Sequence, residues 1–395
     1  MTRNAIAIVF GVLQVLMWQV GAVRAQNDLH VPEKIKSHGF MSGADISGLP
    51  VMEQDGVIYR DENGQAHDAI ELMYTKGLTW FRLRIFVEPN HVDMVVNDLD
   101  YTLALAKRVK AAGGKLLLDF HYSDTWADPG KQFKPKSWKG LSLEELAERV
   151  ELHSYDVIKA MRREGVMPEM VQIGNEISHG MIWPDGRLRW NGEEREASFD
   201  RLATLIKAGI RGVKRASGKK YDPILMLHLA KGGSWTATKR FFTKIFERDV
   251  QFDVIGFSYY PRYHGKQKDL RENLQKTVEV FKKPVIVVEV GYAWRDIEKE
   301  PKQHNFEFPG TKEGQASYMQ AVMDEVDALP NGMGVGAFWW HAEATPSKNK
   351  KAWLNGRNGL FDDKNRVLPA MSVLGKQLRV PIVRKAAVKP VGDEE

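Results

Sequence analysis

Eight short apolar runs recur along the chain, at Gly39–Ala44, Trp80–Phe86, Lys115–Phe120, Met170–Gly174, Ile224–Leu229, Val254–Ser258, Val285–Val290 and Val335–Trp339. They lack polar alternation, as strands covered on both faces must, and Val285-Ile-Val-Val is the clearest case. Between them, amphipathic stretches occupy Asp68–Lys76, Leu99–Ala112, Leu143–Glu164, Ser198–Ala216, Thr236–Arg248, Asp269–Phe281 and Gln315–Leu329, and a shorter one, Pro369–Gln377, closes the series. In Tyr101–Ala112 the helical period puts Leu103, Ala106, Val109 and Lys110 near one face. Eight strands, each followed by a helix, predict an α/β fold, a (β/α)8 TIM barrel in a single domain. The runner-up is an open doubly wound sheet. A G-x-G-x-x-G turn after the first strand would favour it, and that turn here reads Ser42-Gly-Ala-Asp-Ile-Ser-Gly.

The first 25 residues follow a different pattern. Arg3 precedes an apolar run from Ala5 to Met17 broken only by Gln14, and Val23-Arg24-Ala25 then offers small residues where a signal peptidase reads. This predicts a secretory signal at 1–25, the alternative being a buried N-terminal helix. The barrel is expected over 26–385, with a short polar tail at 386–395. No later segment reaches 18 uninterrupted apolar residues, so no membrane anchor is expected in the mature chain. The product is expected outside the cytoplasm, periplasmic or secreted, and monomeric.

Composition narrows the chemistry. The chain has 395 residues and no cysteine, which removes disulfides, a thiol nucleophile and thiolate-bound metals. Its net charge of +6 would suit a polyanion partner, but the 57 basic and 51 acidic residues are interspersed without a basic block, so nucleic acid is not the expected partner.

A barrel carries its chemistry at the C-terminal ends of its strands. Those ends hold Asp45, Arg82 and Arg84, Asp119 and His121, Asn175-Glu176, His228, Ser258-Tyr259-Tyr260, Glu289 and Trp339-Trp340. Each alone has a bland explanation. Together they weaken it, because carboxylates directly after apolar strands are costly to place near a core unless used. Glu176 and Glu289 end strands four and seven, on opposite sides of the barrel mouth. Two opposed carboxyl groups lined by aromatics suit glycosidic bond cleavage. No H-E-x-x-H or G-x-S-x-G motif competes.

Several runs carry a resemblance: Gly43-Ala-Asp-Ile-Ser, Phe81-Arg-Leu-Arg-Ile, His121-Tyr-Ser-Asp-Thr-Trp-Ala-Asp-Pro-Gly-Lys-Gln, Val171-Gln-Ile-Gly-Asn-Glu-Ile and Trp183-Pro. The chain resembles glycoside hydrolase family 53, the arabinogalactan endo-β-1,4-galactanases, from about position 38 to 378. The resemblance implies a retaining hydrolase of galactan with Glu176 as acid/base and Glu289 as nucleophile. Asn175 would bond the 2-hydroxyl of the attacked sugar, and Arg84, paired with Arg82, would orient and stabilise the nucleophile. His121 and Tyr259 would support the two carboxylates, while Asp45 and Asp124 would bind sugar hydroxyls. Trp340 would lie beneath the reacting ring, with Trp126, Trp183 and Trp294 at neighbouring subsites.

The sequence departs from that family in three places. Val290-Gly-Tyr stands where Thr-Ala-Tyr is usual, and Trp340-His-Ala-Glu where Trp-Glu-Pro is common, which touches subsite shape. The loop Asp296–Asn305 alters the calcium run of bacterial members and carries two lysines, so neither calcium nor any other cofactor is expected. Two other readings fit less well: a hydrolase of the same clan cutting another β-linked chain, and a non-catalytic polysaccharide-binding protein, which would not need both carboxylates.

Overall fold

The computed structural model describes residues 29–376, apart from 300–304, 348 and 351. The expected signal segment and polar tail lie outside the described residues.

Eight parallel strands close into a barrel: β1 (Met41–Asp45), β2 (Trp80–Ile85), β3 (Lys115–Phe120), β4 (Met170–Ile173), β5 (Ile224–Leu229), β6 (Val254–Tyr259), β7 (Val285–Val290) and β8 (Gly334–Trp339). Each pairs with its sequence neighbours, and β8 closes on β1, with Met41 opposite Gly336. The expected runs match these strands to within two residues at either end. After each strand comes a covering helix: α1 (Ala69–Thr75), α2 (Leu99–Ala111), α3 (Leu143–Arg163), α4 (Glu194–Ser217), α5 (Trp235–Phe246), α6 (Gln267–Phe281), α7 (Lys312–Asp327) and α8 (Pro369–Gly375). The TIM barrel expectation therefore holds.

Local chemistry sets the helix starts. Asp68, Asp98, Ser142, Ser234 and Thr311 each accept a first-turn N–H, and Ser142 with Glu145 forms a reciprocal capping box. Only α4 starts a full turn before its expected position. It crosses α3 so closely that a Cβ on Gly212 would meet the Glu151 carbonyl at 2.2 Å, which fixes glycine there.

Because side chains alternate along a strand, every second residue enters the barrel. Helix-facing residues such as Leu116, Leu118, Val285 and Val287 join the large core under the helices, while Met41, Trp80, Leu117, Met170, Met226 and Phe338 fill the barrel floor. One break in this alternation matters for function. Val287 in β7 pairs with Phe257 and Ala337, and Val290 pairs with Tyr259 and Trp339, so β7 carries one extra residue between them. This bulge lets Glu289 face inward although it follows the inward Val288. Among the described residues no helix is long and apolar enough to cross a membrane.

Candidate active site

Arg82 is the hub of the barrel mouth. On β2 it projects inward two residues beyond Trp80, fully buried. Its guanidinium pairs with Glu289 Oε1 at 2.9 Å and donates to Asp45 Oδ2 at 3.0 Å, Asp119 Oδ2 at 2.8 Å and Asn175 Oδ1 at 2.7 Å. Burial opposes the charge, but Asp119, Glu289 and Asp45 more than restore it and raise the Arg82 pKa.

Glu289 lies between Arg82 and the Tyr260 hydroxyl, which donates to its Oε2 at 2.9 Å. Ser258 Oγ lies 2.6 Å from Glu176 Oε1 and 3.3 Å from Glu289 Oε2, so one hydroxyl touches both carboxyl groups. Burial raises both pKa values. Glu176 goes well above the ordinary range because the Glu289 charge adds to burial, while Arg82 and Tyr260 hold Glu289 down. Of the two, Glu176 is the one more strongly favoured to hold a proton. Two residues after Gly174 (φ 81°), Glu176 itself sits at φ 48°, a left-handed backbone that is strained for a side-chain-bearing residue.

The remaining strand ends support this pair. Asn175 Nδ2 donates to the Ala127 carbonyl at 2.8 Å, leaving one N–H for a sugar hydroxyl. His121 Nε2 bonds Asp119 at 3.1 Å and its Nδ1 accepts from Ala127 N–H at 3.0 Å. His228 links Asn175 Oδ1 (3.0 Å) to Ser258 Oγ (2.9 Å). Above them a cleft of about 760 Å³ is walled by Trp126, Trp340, Trp353 and Tyr263. Trp353 meets Trp340 edge-on at 4.7 Å and Tyr260 at 5.3 Å.

The structure brings Glu176, Glu289, Asp45, Arg82, Arg84, His121, Trp126, Asn175 and Trp340 together around this cleft. Six expected roles change. Arg84 does not reach Glu289: it bonds Asn97 (3.0 Å) and His341 (3.2 Å) beneath Trp126, and Arg82 takes the expected place. Tyr259 points out of the barrel, stacked on Tyr318 with its hydroxyl on the Gly265 carbonyl, so Tyr260 is the partner of Glu289. His121 supports Asp119 rather than either glutamate. Asp124 uses both oxygens on the Glu88 and Lys136 backbone N–H groups and pins a loop outside the cleft. Trp294 is buried with Arg295 and Lys312 near its ring, also outside the cleft, and Trp353 supplies the wall instead. Asp45 forms part of the cleft floor, but its oxygens are taken by Ser47 and Arg82, so it braces rather than binds. Trp183 lines a second groove with Trp190 and Arg187, which shares Pro129 with the main cleft.

Sequence reasoning gave no role to Ser258, Tyr260, His228 or Trp353. Counting by twos from Val254 through Gly256 would have placed Ser258 and Tyr260 inward, and counting from Ile224 through Met226 would have found His228. Trp353 stands on a loop whose path had no such signal. In the strand-seven loop, Asp296 is held by Lys299 at 2.9 Å and Arg295 at 3.4 Å, cations where calcium would need oxygens. Residues 300–304 of that loop lie outside the described residues. The described part of the loop, with cations on Asp296, does not fit the ion.

Comparison with known proteins agrees with this geometry. The sequence pattern of glycosyl hydrolase family 53 matches residues 41–374. An uncharacterized protein of Niallia circulans is 37% identical over 86% of this chain and 94% of its own length. A probable arabinogalactan endo-β-1,4-galactanase A of Aspergillus terreus is 33% identical over 84% of this chain and 94% of its own. Among solved structures, the GH53 catalytic domain of Ignisphaera aggregans superposes with TM-score 0.76 at 31% identity, covering 85% of this chain and 95% of that one. The chain is a glycosidase and belongs to glycosyl hydrolase family 53.

Proposed function

We propose that this glycosidase is an exported, monomeric endo-β-1,4-galactanase that cuts galactan and type I arabinogalactan with retention of configuration. One observation carries the reading: two inward carboxyl groups in contact with a single hydroxyl, in an aromatic-walled cleft. Bridging through one oxygen supports the ~5–5.5 Å separation of retaining pairs over the ~6.5–9.5 Å that leaves room for an attacking water. The Aspergillus terreus relative, whose name records galactanase activity, supports the substrate. The N-terminal apolar run supports export.

In the first step Glu289 attacks the anomeric carbon while Glu176 gives its proton to the departing glycosidic oxygen. Arg82 and Tyr260 hold the attacking carboxylate in line. In the second step Glu176 takes a proton from water, which displaces Glu289 and restores the β configuration. The free Asn175 N–H suits the 2-hydroxyl, and Trp340, Trp126 and Trp353 suit the apolar faces of the sugar rings.

A substrate panel tests the assignment. Linear β-1,4-galactan should lose viscosity quickly and yield short galacto-oligosaccharides, with mannan, xylan and glucan untouched. Hydrolysis of one of those chains with galactan left intact would overturn it.

A further inference from the structure

We infer that Ser258 and His228 form a positioning relay that seats the acid proton on Glu176 Oε1 before the first step and supports the carboxylate afterwards. The inference deepens the reading above and rests on it.

The argument starts where donor and acceptor roles are fixed. Arg82 can only donate, and it meets Asn175 Oδ1 at 2.7 Å; the Ala127 carbonyl can only accept, and it meets Asn175 Nδ2 at 2.8 Å. The amide therefore has one orientation. His228 Nδ1 lies 3.0 Å from that same Oδ1, a contact that is attractive only if Nδ1 carries hydrogen. The Glu176 backbone N–H is 3.4 Å from Nδ1, a longer contact that yields to it. His228 is fully buried with Arg82, His121 and His264 nearby, and burial first, then those neighbours, hold it neutral. Its Nε2 is then a lone pair, and Ser258 Oγ at 2.9 Å must donate to it. With its hydrogen so used, Ser258 can only accept from Glu176 Oε1 at 2.6 Å, so that oxygen bears the proton, and the longer 3.3 Å approach to Glu289 Oε2 carries no hydrogen in this state.

When Glu176 has given its proton to the leaving oxygen, the Ser258 hydroxyl can turn from His228 to the new carboxylate. No covalent bond of Ser258 or His228 breaks, and the proton on Glu176 is replaced from water in the second step. The other groups facing Glu176 are Glu289 on β7, Arg82 on β2, Tyr260 at the end of β6 and Asp128 in the loop after β3.

Ring-nitrogen NMR of 15N-labelled enzyme reads the relay directly in the unaltered protein. His228 should show a hydrogen-bearing Nδ1 and a bare, pyridine-like Nε2; the opposite tautomer overturns the relay. Kinetics supply a second readout. In His228→Phe, Ser258 is free to donate to the ionised Glu176, so the alkaline limb of kcat/KM on galactan should fall by about one pH unit, a tenfold change in ionisation. In a Ser258→Ala background the same substitution should move the limb no further, because His228 acts through the hydroxyl. A limb that stays put or rises in His228→Phe also overturns the relay. The acid role of Glu176 is read separately: on an aryl galactoside with a good leaving group the wild-type alkaline limb should vanish. Its persistence would defeat that role, whereas a reversed His228 tautomer defeats the relay alone.

Discussion

In the N-terminal halves of the strands, Met41, Trp80, Leu117, Met170, Met226, Val254 and Ile286 fill the barrel with apolar side chains. A few residues further along the same strands, at the same inward positions, stand Asp45, Arg82, Asp119, Gln172, His228 and Ser258. The lower layer is held by area and shape, so its members contribute separately and tolerate volume-conserving change. The upper layer is held by mutual charge and hydrogen bonding, where each group is affordable only because its partners are present. Removing one member of that layer leaves a stranded charge, and removing one member of the floor leaves a small void. The chemistry uses the layer whose parts depend on one another.

The largest expected break comes from the two glutamates. Glu289→Ala should abolish turnover on every substrate, since no glycosyl-enzyme can form. Glu176→Ala should cost galactan hydrolysis ~10²–10⁴-fold while sparing the first step of an activated aryl galactoside. Azide should restore its turnover and yield the β-glycosyl azide. Near-normal galactan hydrolysis by both variants would place the chemistry elsewhere.

Next in size is the hub. Arg82→Met leaves Asp45, Asp119 and Glu289 without their shared cation and should cost ~3–5 kcal/mol in denaturant unfolding. In the floor, Ile286→Val should cost only ~0.5–1.5 kcal/mol and leave the pH profile of kcat/KM unchanged. Equal losses from the two substitutions would dissolve the contrast between the layers.

A buried carboxyl outside the pair sharpens the electrostatic side. Glu343, in the loop after β8, accepts from Gly48 N–H at 2.8 Å, and burial, then the Asp45 charge, push its pKa from 4.5 up to about 8. Between those values the folded protein keeps a proton that the unfolded chain has released, so this group costs stability as pH rises through that window. Glu343→Gln keeps the Gly48 contact and removes the titration. Its unfolding free energy should gain on the wild type from pH 5 to pH 8, by up to ~1.4 kcal/mol per pH unit, read by denaturant unfolding. A constant difference across that range would contradict the assignment.

The smallest effect concerns the cleft wall. Trp353→Ala should raise KM on galactan severalfold, the loss of a ~0.5–1.5 kcal/mol ring contact. Trp294→Phe should leave KM alone. Reversed effects in steady-state kinetics would restore the placement that the sequence suggested.

The barrel was legible because strands buried on both faces leave unbroken apolar runs, and Val285–Val290 is readable without any context. Glu176 and Glu289 were legible because each follows such a run directly. Which neighbour supports them was not. Arg82 and Arg84 both face inward, and only the stagger of the closed barrel brings Arg82, rather than Arg84, to Glu289. Tyr259 and Tyr260 differ by one residue, which at a strand end decides between the helix layer and the site. The β7 bulge that turns Glu289 inward leaves no mark in a run of valines. Trp294 and Trp353 lie on long loops whose paths depend on contacts far away in sequence.

The central claim, a charged Glu289 attacking and a protonated Glu176 assisting, is tested most directly by the configuration of the first product. Proton NMR of linear β-1,4-galactan during early hydrolysis should show the β-anomer of the new reducing end appearing first, with the α-anomer growing in only by mutarotation. An α-anomer formed first would contradict the double displacement and the roles given to both glutamates.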